Sequence, residues 1–568
     1  MVEKLPLDFV RSIYKLLTTG NENVNFYCSC IQNQNREAAT NQPVKFAFNL
    51  LKVNLICRLP LLKNRTFAEP LGQKYLSELF VRPAVCELAS EMLDNTQLIT
   101  NIFGSAVFTI KSNDEIYELI EEETSVKGFA KLRKKYDSKK LTIQSIYKNI
   151  SSELNTMIDY KIELAVMEKY YIANKYVIRL LDIAKYNDLK ITAIIPTSYP
   201  ANFIQSILEK FKIEVDELIV TPDCDLNIKS YVDPTNTIGI MSSDYNGYIK
   251  KFMKLGCKPI YYRSPKMLME HTVHPALDKN FQDIYDGICG SRLFSGIKRM
   301  SPEYELAYLC IAPAVFGFAQ HIIKRVAYAD KMICLCDENS IFGTVLKKLA
   351  NTFQPEFFPW SALATSKYKS IDDWQKIIDE YPVFNDAEYG VFDDKLRYPI
   401  SKAKGNYTSL ELARIMATAW IDKSSDGAEN AVKQKLNGCE LAVIADPVAG
   451  RLASSKFCSI MQKVSPKTIY KCFTINEFLK CDTEKLKALA VIMQGNKPML
   501  CQINDDNKQW IYPKKLNVNK LSEIYRAIVD FADDFIDYFT QSGNIIDISG
   551  ENCTELYLKG HAKISKIF

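Results

Sequence analysis

From Leu189 to Ser264 the chain alternates short apolar runs with amphipathic ones. LKITAIIPTS, DELIVTP, NTIGIMSS and KPIYYRS read as strands, and ANFIQSILEKF and YIKKFMKLG read as helices. Parallel strands cannot be joined by a tight hairpin and need a crossover, usually a helix. The alternation therefore predicts a parallel sheet covered by helices on both faces. A second alternation starts near Glu303. There KMICLCDENS is a strand and loop, SIFGTVLKKLANTF a helix, QPEFFPWSA a further strand, and SLELARIMATAW a helix. CELAVIADPVAG is again a strand and loop, and KALAVIMQG and KPMLCQIN are further strands. KLSEIYRAIVDFADDFIDYF closes the series as a strongly amphipathic helix.

The flanking segments read differently. LDFVRSIYKLL, FAFNLLKVNLICRLPLL and LGQKYLSELFVRPAVCELASEML carry helical spacing and make residues 1–96 a helical N-terminal region. LITNIFGSAVFTI, from Leu98 to Ile110, reads as one strand-like run. The helical segments SNDEIYELIEEE, LTIQSIYKNIS and YKIELAVMEKYYI follow it, with Ser112 as a helix N-cap. Helices inserted after a first strand make a cap, here at about 112–185. RSPKMLMEHTVHPALDKN reads as part of a linker spanning 266–302.

Composition excludes several classes. A hydrophobic fraction of 47% is enough for real cores. Net charge is only +5, and the densest basic run, KLRKKYDSKK, sits on one polar helix face, so no nucleic-acid partner is expected. The 16 cysteines include Cys28-Ser-Cys30 and Cys334-Leu-Cys336, neither with the spacing of a zinc pair, and they read as reduced core thiols. The four histidines, with His271 and His274 closest together, find no third ligand and are read as structural. MVEKLPLDFV is no secretory leader, and the longest apolar run, LAYLCIAPAVFGF, is too short and holds a Pro, so no transmembrane segment is expected. A cytoplasmic location follows, with peripheral contact at the inner membrane face left open.

The region from Phe103 to Pro265 resembles the haloacid dehalogenase-like (HAD) superfamily, and within it the HAD-like proteins of bacterial cell-surface polysaccharide gene clusters. The family pattern begins Phe-Asp-Ile-Phe-Asp-Thr, continues with a helical cap and a strand ending Ser-Asp-Met-Tyr-Leu-Pro, and ends with Ile-Gly-Asp-Asn, a gap and Ser-Asp. The matching pieces are GSAVFT, NDEIYELIEE, LTIQSIYKNIS, IIPTSYPANFIQSILEK, DELIVTPDCDLNIKS and IGIMSSDYNGYIKKFMKLGCKPIYY. The resemblance implies an HAD-like Rossmannoid parallel sheet with a helical cap over 97–265.

The same register implies that phosphatase chemistry is lost. It puts Ser105 where the family has its nucleophilic Asp, Phe108 at the acid-base Asp and Ile240 at a metal-binding Asp. A phenylalanine cannot move a proton. The phosphate-holding hydroxyl falls near Ile195 or Pro196, with Thr197 or Ser198 as substitutes. Lys229 matches a phosphate-neutralising lysine and Asp244 the last acid, though a loop lysine and a helix N-cap are the plainer readings. One Asp with neutral oxygens is a weak cage, so Mg²⁺ is expected only if the Asp244 site works. Asp223-Cys-Asp225 could mark a metal-nucleotide site, but its Pro-Asp context reads as a turn.

Proteins of this polysaccharide type carry a second α/β region, with a strand before Arg-Asp-Gly and a later strand before Asp and a Gly-rich stretch. MICLCDENSIFG and LAVIADPVAGRLASSK stand at comparable places in the second α/β domain, a Rossmann-like one at 303–568. Asp337, Glu338, Asp446 and Arg451 all follow strands and could line one crevice, where open α/β sheets bind ligands. The resemblance implies a binding or scaffolding component of glycan biosynthesis, with a glycosyltransferase or other assembly protein as partner and a phosphosugar or nucleotide-sugar ligand. The alternatives are a sugar- or phosphate-transfer enzyme sited in the second domain and, last, a residual HAD phosphatase.

Overall fold

The computed structural model describes residues 94–137, 140–222, 231–233, 236–241, 258–261, 277–294, 300–350, 353–360, 390–393, 399–402, 426–448, 451–497, 499–503, 508–512 and 517–567, with a few single positions besides. The helical region expected at 1–96 lies almost wholly outside these, as do SLELARIMATAW, YIKKFMKLG, His271, His274, Lys229 and Asp244. The chain divides into two compact units. One holds residues up to 274 with 278–300 and 538–544, the other 275–277, 301–537 and 545–568.

The first unit is built on five parallel strands: β1 (Gln97–Thr100), β4 (Lys190–Pro196), β5 (Glu217–Thr221), β6 (Thr237–Met241) and β7 (Lys258–Tyr261). Their order is β5-β4-β1-β6-β7. The chain winds outward from β1 in one direction and then in the other, which makes the carboxyl end of β1 the switch point of a doubly wound sheet. Strand β1 is buried along its whole length, as a central parallel strand must be.

The expected long run from Leu98 to Ile110 is broken. The chain leaves the sheet at Thr100, turns, and forms the short strand β2 (Val107–Thr109), which pairs antiparallel with β3 (Tyr171–Ala173). The cap enters and leaves through this clasp. It holds helices α1 (Asn113–Thr124), α2 (Phe129–Asp137), α3 (Ile143–Leu154) and α4 (Lys161–Lys169). Ser112 caps α1 in a full capping box with Glu115, and Thr142 caps α3. Helix α5 (Lys175–Tyr186), read as cap from its spacing, follows the clasp and leads straight into β4. Helix α6 (Ala201–Lys210) joins β4 to β5. The stretch read as linker contains α7 (Lys279–Phe294), sixteen residues whose Gly287 lies against Ile110 and Ile172.

The second unit opens with α8 (Pro302–Val326), long and apolar enough to cross a bilayer, yet 89% of its apolar window is buried inside the protein. It runs through LAYLCIAPAVFGF, where Pro313 argued for a shorter element. A π-turn at Ala307–Ile311 widens the helix just ahead of Pro313 and accommodates the missing N–H. The parallel sheet contains β8 (Lys331–Cys334), β9 (Glu356–Phe357), β12 (Leu441–Asp446) and β13 (Ile469–Thr474), ordered β13-β12-β8-β9. Helix α9 (Ile341–Leu349) follows β8, α10 (Asp426–Lys435) precedes β12, and α11 (Arg451–Val464) follows it.

Two elements of this unit depart from the expected pattern. KALAVIMQG is not a strand but the body of a helix, Thr483–Gln494, stopped by Gly495 at φ +63°. Its Leu, Ala and Met are strong helix formers, and Gly takes the left-handed stop at no steric cost. KPMLCQIN does give a strand, β14 (Met499–Ile503), but in an antiparallel sheet with β10 (Gly390–Asp393), β11 (Pro399–Lys402) and β15 (Lys508–Tyr512). The unit ends in the long helix Val518–Ser542, whose last turns belong to the first unit, and in Gly550–Ile567.

Candidate functional site

The turn after β1 holds two residues in left-handed backbone. Ile102 sits at φ +53° and Gly104 at φ +80°. For a β-branched residue the left-handed region costs on the order of 1–3 kcal/mol, and such strain gathers at functional sites. Ile102 is fully buried and its carbonyl collects the N–H groups of Ser105, Ala106 and Val107 at 3.0, 2.8 and 3.0 Å. This tight knot swings Asn101 and Phe103 past the end of β1.

A cavity of about 460 Å³ opens there. Asn101, Phe103, Gly104, Thr109, Lys111 and Thr197 are among the residues lining it, with Phe108, Tyr171 and Tyr199 adding aromatic wall. Lys111 is the one cation of the described lining, and no carboxylate lines it. Its amine donates to Asp283 Oδ2 at 2.9 Å and to Asn280 Oδ1 at 3.3 Å, so its charge is already matched.

The expected site residues fall in different places. Ser105 is not at the end of the strand. It is five residues beyond, fully buried, with its hydroxyl donating to the Ile102 carbonyl at 3.0 Å and lying 3.3 Å from Thr100 Oγ1. It is committed to the turn and does not line the cavity. Phe108 does line it, from β2. Ile240 lies on β6 in register with Thr100, at the neighbouring strand's end. The residues that spacing missed are Asn101 and Phe103, and the signal for them was Asn101 and Gly104, two turn formers inside an apolar run.

Above the cavity, the cap holds a buried ion pair. Arg133 Nε and Nη2 donate to Glu163 Oε2 and Oε1 at 2.8 and 2.9 Å, with both residues almost fully buried. Tyr147 and Tyr199 each donate a hydroxyl to Glu163 at 2.9 Å. Tyr117 donates to Asp137 and lies under the Arg133 guanidinium, 4.7 Å from ring centre. Burial pushes the hydroxyls of Tyr117, Tyr147 and Tyr199 well up, and the Glu163 carboxylate adds to each. Tyr199 follows β4 closely, so this hydrogen bond, like that from the Ile143 N–H to the Ser198 carbonyl, ties the cap to the sheet.

The second unit presents its acids otherwise. Asp446 ends β12 and is 2% exposed, with Oδ1 accepting from the Val448 N–H at 3.1 Å. Thiols surround it. Burial pushes the Cys334 thiol well up, the neighbouring Cys336 thiol 3.3 Å away adds to this, and so does the Asp446 carboxylate. Asp337 is half-buried and accepts from the Asn339 N–H at 2.8 Å, while exposed Glu338 pairs with Lys347. A Cβ on Gly343 would stand 2.6 Å from the Glu338 carbonyl oxygen and 2.8 Å from that of Asp337. The loop is thus folded down onto the first turn of α9. Arg451 opens α11. Strands β8 and β12 are adjacent, so Asp337 and Asp446 share a sheet edge, but each side chain is engaged in its own loop.

Magnesium requires hard anionic oxygens. The described cavity lining offers neutral oxygens only, and among the described residues no group of three His, Cys, Asp or Glu side chains could hold a metal. The residues present do not fit that ion. Searches with the whole chain find no matching family model and no matching curated protein.

Proposed function

We propose that the first unit is a HAD-like domain that has lost phosphatase chemistry and serves as a binding component in bacterial cell-surface glycan assembly. The observation that carries the reading is the end of β1. If the family's Phe-Asp-Ile-Phe-Asp-Thr is laid on Thr100–Ser105, TNIFGS keeps the Ile-Phe pair and a terminal hydroxyl residue. Asn101 then replaces the nucleophilic Asp and Gly104 the second one. This register suits the strand, which ends at Thr100. It also agrees with a cap inserted just after that strand. An amide is a far poorer nucleophile than a carboxylate, and glycine can neither donate nor accept a side-chain proton.

The test is Mg²⁺-dependent phosphate release from 4-nitrophenyl phosphate by the full chain. None above buffer is expected, and turnover that Asn101→Ala abolishes would overturn the reading. The glycan role is tested separately, by deleting the gene from its host. Unchanged surface polysaccharide would remove that part. Association with a glycosyltransferase or another glycan-assembly protein is the expected mode of action, read by co-purification.

A second reading, sugar- or phosphate-group transfer in the second unit, draws on Asp446 at the carboxyl end of β12, beside the β8–β12 switch point. A nucleotide-sugar or phosphosugar ligand belongs to this alternative. Thermal stabilisation by UDP-glucose that vanishes in Asp446→Ala would favour it.

A further inference from the structure

Strand β13 is the outermost strand of the second unit's parallel sheet. Its ladder runs to β12, and the Ile469 N–H donates to the Glu440 carbonyl at 2.8 Å, which fixes the alternation. Ile469, Lys471 and Phe473 turn their backbone groups toward β12, and Tyr470 and Cys472 turn theirs outward. Among the described residues no backbone carbonyl receives the Tyr470 or Cys472 N–H. An edge of this kind is a template for one more strand.

The side chains decide which strand it suits. Ile469, Lys471 and Phe473 stand on one face, two residues apart. Ile469 is 70% exposed, and Lys471 is exposed as well. The end of α8 lies along the same face. Arg325 is exposed, and its guanidinium carbon lies 5.3 Å from the centre of the Phe473 ring. The Lys471 amine is also 5.3 Å from that centre, and the His321 ring meets Phe473 edge-on at 5.6 Å. Arg325 donates to the His321 carbonyl at 2.9 Å, while its neighbour Lys324 pairs with Asp547. Among the described residues neither Arg325 nor Lys471 is ion-paired. The imidazole registers the imbalance. Burial and then the charges of Arg325 and Lys471 push it down, with Phe478 as its other aromatic neighbour and no carboxylate acting against them.

A lone lysine on an edge strand keeps neutral strands away. Two cations converging on one ring, with no acid between them, turn that barrier into a choice. A second copy of the chain is a poor occupant, because edge-to-edge pairing would set these cations against their own counterparts. An acidic strand gains ion pairs in addition to backbone hydrogen bonds.

We propose that β13 takes up an extended acidic segment of a partner protein as an added strand, with alternate carboxylates facing Lys471 and Arg325 and an apolar side chain over Ile469. The site lies in the second unit and is independent of the reading of the first. The experiment is calorimetric titration of the full chain with the capped peptide Ile-Thr-Glu-Thr-Glu-Thr-Ile, which reads alike in both strand directions, and with Ile-Thr-Lys-Thr-Lys-Thr-Ile. The glutamate peptide is expected to bind saturably and the lysine peptide at least about tenfold more weakly. The double variant Arg325→Glu with Lys471→Glu, changed at two exposed positions, is expected to reverse that order. Proline is tolerated on an edge strand where the N–H faces outward, so Tyr470→Pro is expected to keep the fold and weaken the glutamate peptide about tenfold. Bound glutamates should also raise the pKa of His321, read from the histidine Hε1 signals with His321→Gln as the assignment. Equal affinity for both peptides would overturn the charge selection. An unreversed order in the double variant, or an unmoved His321 signal, would overturn the location. Undiminished binding in Tyr470→Pro would overturn strand addition. Self-association of the full chain that Tyr470→Pro abolishes, read by sedimentation, would assign the edge to a second copy instead. Failure of both peptides to bind would overturn the proposal outright.

Discussion

The two parallel sheets differ at the same place. At the carboxyl end of its central strand, the first sheet opens a cavity whose described lining has no acid. At the end of β12, the second sheet has a buried carboxylate and several thiols, packed close and engaged with their own loops. One region keeps space without an acid in its described lining, and the other keeps a buried acid without described space. Catalysis by general acid and base needs both in one location. The contrast separates two uses of a buried charge. In the cap of the first unit, Arg133 and Glu163 pair with each other and fix a shape. In the second they lie at the strand ends, where Asp446 organises a loop.

Removing one partner of the cap's ion pair is the severest way to break this contrast. Glu163→Ala takes two of the buried Arg133 guanidinium's hydrogen bonds and leaves it only Asp137 on its own helix, and is expected to cost about 3–5 kcal/mol. Hydrogen exchange should quicken across α1 to α4, while the amides of β8 and β12 keep their protection. Equal loss in both units would mean that the two do not hold their charges independently. Next comes Gly343→Ala. Its Cβ meets backbone carbonyls that cannot rotate away, so about 1–3 kcal/mol of destabilisation is expected by denaturant unfolding. A neutral result would mean that the 337–339 loop yields easily, and would bring Asp337 back as a ligand group.

Smaller effects sharpen the comparison through pH. Ser112→Ala removes the capping box of α1 and should cost about 1 kcal/mol. Burial works to raise the Glu115 carboxyl, but hydrogen bonds from the Ser112 N–H and hydroxyl, with the Lys279 amine, hold it down at about 2. Its stabilising contribution is therefore present above the ordinary value of 4.5 and is lost as pH falls toward 2. Ser112→Ala should flatten that part of the acid-unfolding curve.

His321 acts in the same direction, over a higher pH window. Burial, then the charges of Arg325 and Lys471, push its imidazole down to about 4. The unfolded chain takes up the proton near 6.5 and the folded chain only near 4, so stability falls as pH drops through that window and is unaffected above it. His321→Gln should lessen the drop in thermal midpoint between pH 7.5 and 4.5. An identical drop in the variant would assign the acid sensitivity elsewhere.

The parallel alternation was legible because strands β4 to β5 and β8 to α9 are punctuated by turn residues at the expected intervals. The antiparallel sheet was not, since β10 pairs with β15 more than a hundred residues later and periodicity carries no information about such partners. KALAVIMQG misled because a short apolar run has no clear period, and only its Gly495 stop tells helix from strand. The largest miss for the site was the run from Leu98 to Ile110. Its apolar residues recur on both sides of Asn101 and Gly104, and Ile102 buries in a turn rather than within a sheet. Ile102 in a left-handed conformation contradicts local preference, and only packing from the surrounding core imposes it. The buried pair of Arg133 and Glu163 was equally hidden, because two side chains that read as surface charges stand thirty positions apart in the cap.

The clasp of β2 and β3 has a consequence for how the domain could be remodelled. Thr109 and Tyr171 stand opposite each other in the ladder, so everything from Ile110 to Tyr170 leaves and returns through one doorway. The entropy of closing such a loop rises only with the logarithm of its length, about 0.6 kcal/mol for each doubling. The host sheet is therefore nearly indifferent to how long a guest it carries, and a short hairpin could stand in for four helices. What resists the exchange is the seam left behind, where the Tyr199 phenol would lose Glu163 and the Ser198 carbonyl would lose the Ile143 N–H.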